Sequence, residues 1–205
     1  TCDEQSIPPC PLSVPADLMF YDGVNLDDVE MRSGGETITY IANITEWKAY
    51  FVANSGEVPV GDHIDLTGDI DFTGEASSNC LYMNPGTTLN GGGYAFTNIS
   101  FGDFAIRYME NAEVCNIKMI EATVATQSIY FIKYIMYLSS VHNILLDGTT
   151  ASVSGHSYIP SIAYELQNSE LHNATIQNIS ISSTDSTASI TGGGVIGWME
   201  YSLAE

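Results

Sequence analysis

"ELQNSELHNATIQNISI" (165–181) is the stretch that decides the fold, because the chain carries two earlier versions of it. These are "YMENAEVCNIKMIEATV" (108–124) and "IMYLSSVHNILLDGTT" (135–150). Each version contains an asparagine that is preceded, two positions earlier, by an aliphatic residue. The recurrence of one pattern along a chain is the signature of a repeat protein.

The spacing of these versions indicates a solenoid. Asn116 and Asn143 are 27 positions apart, and Asn143 and Asn173 are 30 positions apart. Periods of roughly 20 to 50 residues are typical of solenoids. The units are rich in β-branched, aromatic, serine and threonine residues, which favour strands over helices. A further unit begins at "TGGGVIGWMEYSLAE" (191–205).

Stacked coils explain why these residue types recur. Coils of a parallel β-helix are about 4.8 Å apart, so equivalent residues form columns. The aliphatic residues are expected to stack into a shared core: Val114, Val141, Leu171 and, 32 positions after Leu171, Leu203. The three asparagines are expected to form a ladder, with side-chain amides bonded from coil to coil. The residues between are expected to face outward: Cys115, His142 and His172.

We therefore predict an all-β chain that folds as a right-handed parallel β-helix over residues 37–205. Its repeats are expected near residues 104–128, 129–158, 159–189 and 190–205. Because solenoid ends expose strand edges, the helix is expected to continue beyond this chain or to be capped by a neighbour. Residues 1–36 have no periodic pattern and hold four of the seven prolines, so they are predicted to form an N-terminal arm or cap.

A short capping helix is predicted near the start of the solenoid, within "TEWKAYFVANSG" (45–56). Thr45 is a suitable N-cap residue and Gly56 a suitable stop. Its apolar face is predicted to consist of Trp47, Tyr50, Phe51 and Ala53. The following "HIDLTGDIDFTG" (63–74) alternates apolar and polar residues, which predicts a half-buried strand with a kink at Gly68.

The charge of the chain disfavours several partners. Five Lys and Arg face twenty-five Asp and Glu, giving a net charge of −20. Nucleic acid is a poor partner because phosphate binding needs clustered cations, and an anionic membrane surface is disfavoured for the same reason. The most apolar run, "IYFIKYIMYL" (129–138), is too short to span a bilayer and contains Lys133.

Cysteine usage and sequons favour an extracellular protein. A start at Thr1-Cys2 resembles a processed secreted product. The even set of cysteines has no metal-ligand spacing and allows three disulfide connectivities, of which Cys2–Cys10 with Cys80–Cys115 is one. Four Asn-X-Ser/Thr sequons begin at Asn43, Asn98, Asn173 and Asn178. Asn173 is the weakest glycosylation candidate because it belongs to the predicted ladder, whose asparagines are expected to face inward.

The segments "DHIDLTGDIDFTG", "TTLNGGGYAFTNISF" and "GGGVIGWMEYSLAE" resemble those of secreted right-handed β-helix surface proteins with GLUG-type repeats. The resemblance covers residues 37–205 and implies an adhesin or a cell-surface or matrix component. The chain departs from that pattern in its early repeats, which lack the glycine pair, and in its cysteine- and proline-containing arm.

Catalysis and metal binding are the alternatives to a structural role. Polysaccharide lyases and hydrolases share the β-helix fold, but no catalytic residue is predicted. Arg107 and Lys133 fall at nearly equivalent positions of their repeats and are interpreted as a solvated stripe. No cofactor and no metal are predicted, apart from a weak Ca²⁺ candidate at Asp69 and Asp71. His142 and His172 should stack one coil apart, yet neither has a cysteine or carboxylate at metal-ligand spacing to complete a zinc site, so a surface ladder is expected.

The function predicted from the sequence is that of an extracellular structural or adhesive module, expected as part of a glycosylated surface filament. Its expected partners are further copies in end-to-end association, other surface or matrix components, and glycans. A β-helix polysaccharide lyase or hydrolase is the alternative.

Overall fold

The structure is a computed structural model. It describes residues 30–31, 37–75, 81–101, 104–124, 130–153, 157–158, 161–183, 190–191 and 195–204. Apart from β-strand Glu30–Met31, the predicted N-terminal arm lies outside these residues.

The described chain consists of short β-strands and one helix, and successive coils repeat the same order of strands. The strands that precede the repeats are β1 (Glu30–Met31), β2 (Thr37–Ile41), β3 (Glu57–Val58), β4 (His63–Leu66), β5 (Ile70–Asp71), β6 (Leu81–Met83), β7 (Thr88–Asn90), β8 (Ala95–Thr97) and β9 (Ser100–Phe101), with helix α1 (Ile44–Ala53) between β2 and β3. The strands of the repeats are β10 (Phe104–Glu110), β11 (Glu113–Ile120), β12 (Thr123–Val124), β13 (Tyr130–Met136), β14 (Ser140–Asp147), β15 (Thr150–Val153), β16 (Ser157–Tyr158), β17 (Ser161–Gln167), β18 (Glu170–Gln177), β19 (Ser180–Ser183), β20 (Ile190–Thr191), β21 (Ile196–Glu200) and β22 (Leu203–Ala204).

These strands pair in parallel with their equivalents one coil away, which confirms the predicted parallel β-solenoid. The first sheet runs β2-β4-β7-β11-β14-β18-β22, with β8 also on β11 and β5 on β8. The second sheet runs β3-β6-β10-β13-β17-β21, and the third β9-β12-β15-β19. Only the β1–β2 pair, among the described strands, is antiparallel.

The core consists of the aliphatic columns that the repeat predicted. Val114 pairs with Val141, and Val141 with Leu171, and each of the three side chains is at most 1% exposed. The predicted place of Leu203 is wrong by one residue, since Ala204 pairs with Leu171. The cause is a serine corner: Ser169 N donates to Ser202 Oγ at 3.1 Å, which sets the offset between these coils at 33 positions rather than 32.

Left-handed backbone conformations at five-residue intervals bend each coil. They occur in the β10–β12, β13–β15 and β17–β19 coils at Asn111, Asn116 and Glu121, at Leu138, Asn143 and Gly148, and at Asn168, Asn173 and Asn178. Asparagine and glycine adopt positive φ at lower cost than other residues, which explains why they predominate here. The middle residue of each set bends a strand. As a result, the residue two positions before the bend and the residue one position after it both face the core, as Val114 and Ile117 do in β11.

The asparagine ladder is confirmed, and it is longer than predicted. Asn173 Nδ2 donates to Asn143 Oδ1 at 3.1 Å, and Asn143 Nδ2 to Asn116 Oδ1 at 2.8 Å. Asn116 Nδ2 donates to Asn90 Oδ1 at 3.1 Å, and Asn90 Nδ2 to the Asp65 carboxylate at 3.1 Å. Asn173 is exposed rather than enclosed, so its predicted inward position is wrong.

The predicted capping helix is present, but its N-cap is Asn43 and not Thr45. Asn43 is extended, and its Oδ1 accepts from the backbone N–H groups of Thr45 and Glu46. The amide oxygen of Asn43 therefore accepts hydrogen bonds from N–H groups of the first turn, which have no acceptor within the helix. Trp47 is buried against Phe96, with ring centroids 5.0 Å apart, whereas Ala53 is exposed.

Within the part of the chain that the structure describes, no helix has the length and apolarity to cross a bilayer.

Candidate functional site

The outer face of the second sheet carries a band of tyrosines and cations. Ile106 and Met109 both face the core, at 2% and 0% exposure, and the two residues between them both face away from it. The same arrangement recurs between Ile132 and Ile135 and between Ala163 and Leu166. Each coil thus presents two adjacent outward side chains where a regular strand would present one.

We call the resulting surface the tyrosine stripe. Its members are Tyr82, Arg107, Tyr108, Lys133, Tyr134 and Tyr164. Tyr82, Tyr108 and Tyr134 form one column, because Tyr108 pairs with each of the other two. The sequence prediction that Arg107 and Lys133 occupy equivalent positions is confirmed, since the flanking residues pair in register.

Cations and rings hold one another in place within the tyrosine stripe. The Arg107 guanidinium carbon lies 5.6 Å from the centroid of the Tyr82 ring, and Lys133 Nζ lies 5.2 Å from that of Tyr134. The rings of Tyr134 and Tyr164 meet edge to face, with centroids 6.2 Å apart. Such contacts are worth about 0.5–1 kcal/mol each at exposed sites. The tyrosine stripe is therefore a pre-arranged surface rather than a set of loose side chains.

Carboxylates border the tyrosine stripe. The hydroxyl of Tyr108 donates to Glu110 Oε2 at 3.3 Å. Partial burial, and next the charge of Glu110, raise the pKa of the Tyr108 phenol above its ordinary value. Glu165 follows Tyr134 in the column, one coil further along. The surface thus combines aromatic faces with acceptors and two of the five basic residues of the chain.

A second cluster lies on the outer face of the first sheet. Glu113 and Cys115 are two residues apart on β11, and Cys115 pairs with His142 on β14. His142 Nε2 lies 2.8 Å from Glu113 Oε1, and one ligand-type atom of each of the three residues lies within 4.8 Å of the others. We call these residues the Glu–Cys–His cluster. Glu113 is 8% exposed and Cys115 0%, so Cys115, which was expected to face outward, is fully enclosed on that face.

The Glu–Cys–His cluster was not predicted, because only residues near His142 in the sequence were considered as its partners. The partners of His142 are instead 29 and 27 residues earlier, one coil below. Alignment of the repeats on their asparagines already placed Cys115 under His142, so the signal was present. The expected stacking of His142 and His172 is confirmed. His172 Nε2 contacts Glu170 Oε2 at 3.3 Å, on the coil above the cluster.

The weak calcium candidate consists of residues that bond within the chain. Asp69 Oδ1 accepts from the backbone N–H of Ala95 at 2.8 Å. Asp71 Oδ1 accepts from Asn98 Nδ2 at 2.9 Å and from the backbone N–H of Thr73 at 3.0 Å. Both aspartates therefore have structural roles at the coil corners, and calcium binding by them stays a prediction.

Hydrogen bonds at these corners make stability depend on pH. The side-chain bond from Asn98 lowers the pKa of Asp71, and the side-chain bond from Gln177 lowers that of Asp147, relative to the usual 3.8. A carboxyl whose pKa is lower in the folded state stabilises the fold above pH 3.8, and that contribution is lost as the pH falls through the lowered value. When the pH is lowered from 5 to 3, we expect the midpoint of urea unfolding to decrease less in Asp147→Asn than in the unsubstituted chain. Equal falls would contradict this assignment.

Sequons and cysteines can be placed in part. Nδ2 of Asn98, Asn173 and Asn178 donates to a side chain one coil below, while Asn43 is the exposed helix cap. Glycosylation at these four positions stays a prediction. Among the described residues there is no disulfide, and Cys115 is a buried thiol. Cys2, Cys10 and Cys80 lie outside the described residues, so the predicted pairings of Cys2 with Cys10 and of Cys80 with Cys115 are not tested.

Only the fold implied by the resemblance to GLUG-repeat surface proteins, a parallel solenoid, is seen in the structure. The implied membership of that group stays a prediction. Comparison of the chain with protein-family models, with curated protein sequences and with solved structures found no match.

Proposed function

We propose that the protein is an extracellular adhesive module, a stiff β-solenoid that binds polysaccharide through the tyrosine stripe. The observation that carries the proposal is the register of that stripe, which sets tyrosines from successive coils side by side on one outer face. Because the coils repeat at about 4.8 Å, the rings form a linear track rather than a closed pocket. A track suits a linear polymer.

The residue types of the tyrosine stripe support binding. Tyrosine and arginine are enriched at binding surfaces, since both provide a large contact area together with a polar group. The faces of aromatic rings are electron-rich and attract the C–H groups of a sugar ring. The Glu110 carboxylate beside Tyr108, and the cations of the stripe, can bond sugar hydroxyls. The tyrosines are half-buried, so less side-chain freedom is lost on binding.

Sedimentation with insoluble polysaccharides tests the proposal. Cellulose, chitin and cross-linked polygalacturonate are suitable probes. We expect Tyr134→Ala and Tyr164→Ala each to weaken binding to the polysaccharide that is retained by about tenfold, the effect of about 1.4 kcal/mol. Tyr94→Ala is the matched control, because Tyr94 is 40% exposed and lies outside the tyrosine stripe. Failure of the unsubstituted protein to bind any of the three, or equal losses in all three variants, would contradict the proposal.

Cleavage is the second candidate, and the presence of cations on the proposed track favours testing it. A polysaccharide lyase uses a basic side chain to remove a proton, and Arg107 and Lys133 are of the required type. The same polysaccharides incubated with the protein, with and without EDTA, separate the two functions. Release of soluble oligosaccharides that is lost in Lys133→Met would indicate a lyase, and retention without release would indicate an adhesive module.

A further inference from the structure

We propose that the Glu–Cys–His cluster is a binding site for a divalent transition-metal ion of the zinc type. Glu113, Cys115 and His142 supply a carboxylate, a thiol and an imidazole, which are three ligand types of zinc sites in proteins. A thiolate and an imidazole together select against Ca²⁺ and Mg²⁺, which prefer oxygen ligands. This inference is independent of the tyrosine stripe, which lies on the other sheet.

The geometry of the cluster suits a small tetrahedral ion. Zinc bonds of about 2.0–2.3 Å place ligand atoms about 3.5 Å apart. In the structure the three ligand atoms lie within 4.8 Å of one another, and the closest pair is 2.8 Å apart. Side-chain rotations therefore suffice to form the site. All three residues are on paired parallel strands of one sheet, which fixes their backbones.

The surroundings of the cluster are those of a built site. Its carboxylate and thiol are almost fully enclosed, whereas the His142 side chain retains 14% of its exposure and provides a route for an ion. Thr88 pairs with Glu113 one coil below, is 3% exposed, and its hydroxyl has no hydrogen-bond partner. A buried hydroxyl without a partner is costly, and here it could bond a water on the fourth position of the ion.

Zinc binding should displace protons from the ligands, and this makes the affinity depend on pH. Asn143 Nδ2 lies 3.3 Å from His142 Nδ1, so Nδ1 is the acceptor and Nε2 donates its proton to Glu113. An ion at Nε2 shifts that proton to Nδ1, and the Cys115 thiol releases its own to solvent. The contact with Asn143 must open, because the remaining imidazole proton is then on Nδ1. Zinc uptake should therefore release protons and weaken as the pH falls.

Titration of the full, reduced chain with Zn²⁺ in the presence of excess Mg²⁺ tests the site. Mg²⁺ occupies the acidic surface, so that the readout is selective for thiolate and imidazole ligands. Cys115→Ser and His142→Gln are each expected to lower the affinity for Zn²⁺ by about 100-fold or more, since the loss of an outer-shell partner alone costs 10- to 100-fold. His172→Gln is the matched control and should bind as the unsubstituted chain does, because His172 contacts Glu170 instead.

Co²⁺ provides a direct readout of the thiolate ligand, to be used with variants whose circular dichroism matches that of the unsubstituted chain. A cobalt–thiolate charge-transfer absorption is expected in the unsubstituted chain and in His172→Gln, and its absence in Cys115→Ser would assign the thiolate. Zinc affinity that is the same in Cys115→Ser and the unsubstituted chain would overturn the proposal. So would a Cys115 that resists alkylation after unfolding without reductant, because the thiol would then be held in a disulfide.

Discussion

Gly91→Ala is expected to destabilise the solenoid by about 3 kcal/mol, at the upper end of the effect of overpacking. Gly91 lies at the tight turn after β7, directly beneath the bend of β11. A Cβ atom there would collide with the backbone oxygen of Asn116 and would lie 2.8 Å from the Cα of Ile117. Backbone atoms cannot rotate away as a side chain can, so two coils would have to separate locally.

Gly93→Ala is the matched control, since Gly93 is in the same turn. A Cβ at Gly93 meets no atom within 4 Å, and its φ of +85° leaves only the cost of a left-handed alanine, about 1 kcal/mol. The free energy of unfolding in urea, followed by circular dichroism, measures both variants. If Gly91→Ala proves no less stable than Gly93→Ala, the close approach of these two coils is wrong.

Asn143→Ala is expected to cost about 3 kcal/mol, from a left-handed alanine and two lost side-chain hydrogen bonds. Asn143 is half-buried, has φ of 58°, and is bonded both to Asn116 below and to Asn173 above. Its removal leaves the Asn116 oxygen without a donor and the Asn173 amide without an acceptor. The same urea titration measures the loss.

Two further variants separate the causes of that loss. Asn143→Gly keeps the backbone free to adopt positive φ, so it should cost about 1 kcal/mol less than Asn143→Ala. Asn173→Ala removes an exposed member of the ladder whose bonds compete with water, and it should cost about half as much as Asn143→Ala. If Asn143→Gly cost as much as Asn143→Ala, the left-handed backbone would contribute little to the loss. If Asn143→Ala and Asn173→Ala cost the same, the ladder bonds would contribute no more at the half-buried position than at the exposed one.

The repeat could be predicted from the sequence because each of its two physical requirements restricts the residue types at particular positions. A column of Val114, Val141 and Leu171 has to be apolar at each coil, and a left-handed bend favours asparagine or glycine. The place of the last coil was not predictable in the same way. Leu203 looks like the equivalent of Leu171, but a backbone bond to the Ser202 hydroxyl sets the register, and hydrophobicity carries no record of that bond.

Sites were harder to predict than the fold because they form across coils. The Glu–Cys–His cluster draws on residues 27 and 29 positions apart, a separation for which no local metal motif exists. The tyrosine stripe depends on paired outward residues between Ile106 and Met109 and their equivalents, whereas simple alternation would turn one of the two inward. The spacing of Arg107 and Lys133 predicts a stripe of cations, whereas no role was predicted for the tyrosines beside them.

The aspartate at the base of the asparagine ladder gives the whole column a direction. Asp65 offers only acceptor oxygens to Asn90, so each amide above it must turn its nitrogen downward and its oxygen upward. The parallel amide dipoles add along the solenoid axis, with a free acceptor face at Asn173. Any group that continues the column from there must be a donor, such as an amide nitrogen, a hydroxyl or an ammonium. A carboxylate in that place would be rejected, and because the Asp65 carboxylate also offers only acceptors, both ends of the column select for donors.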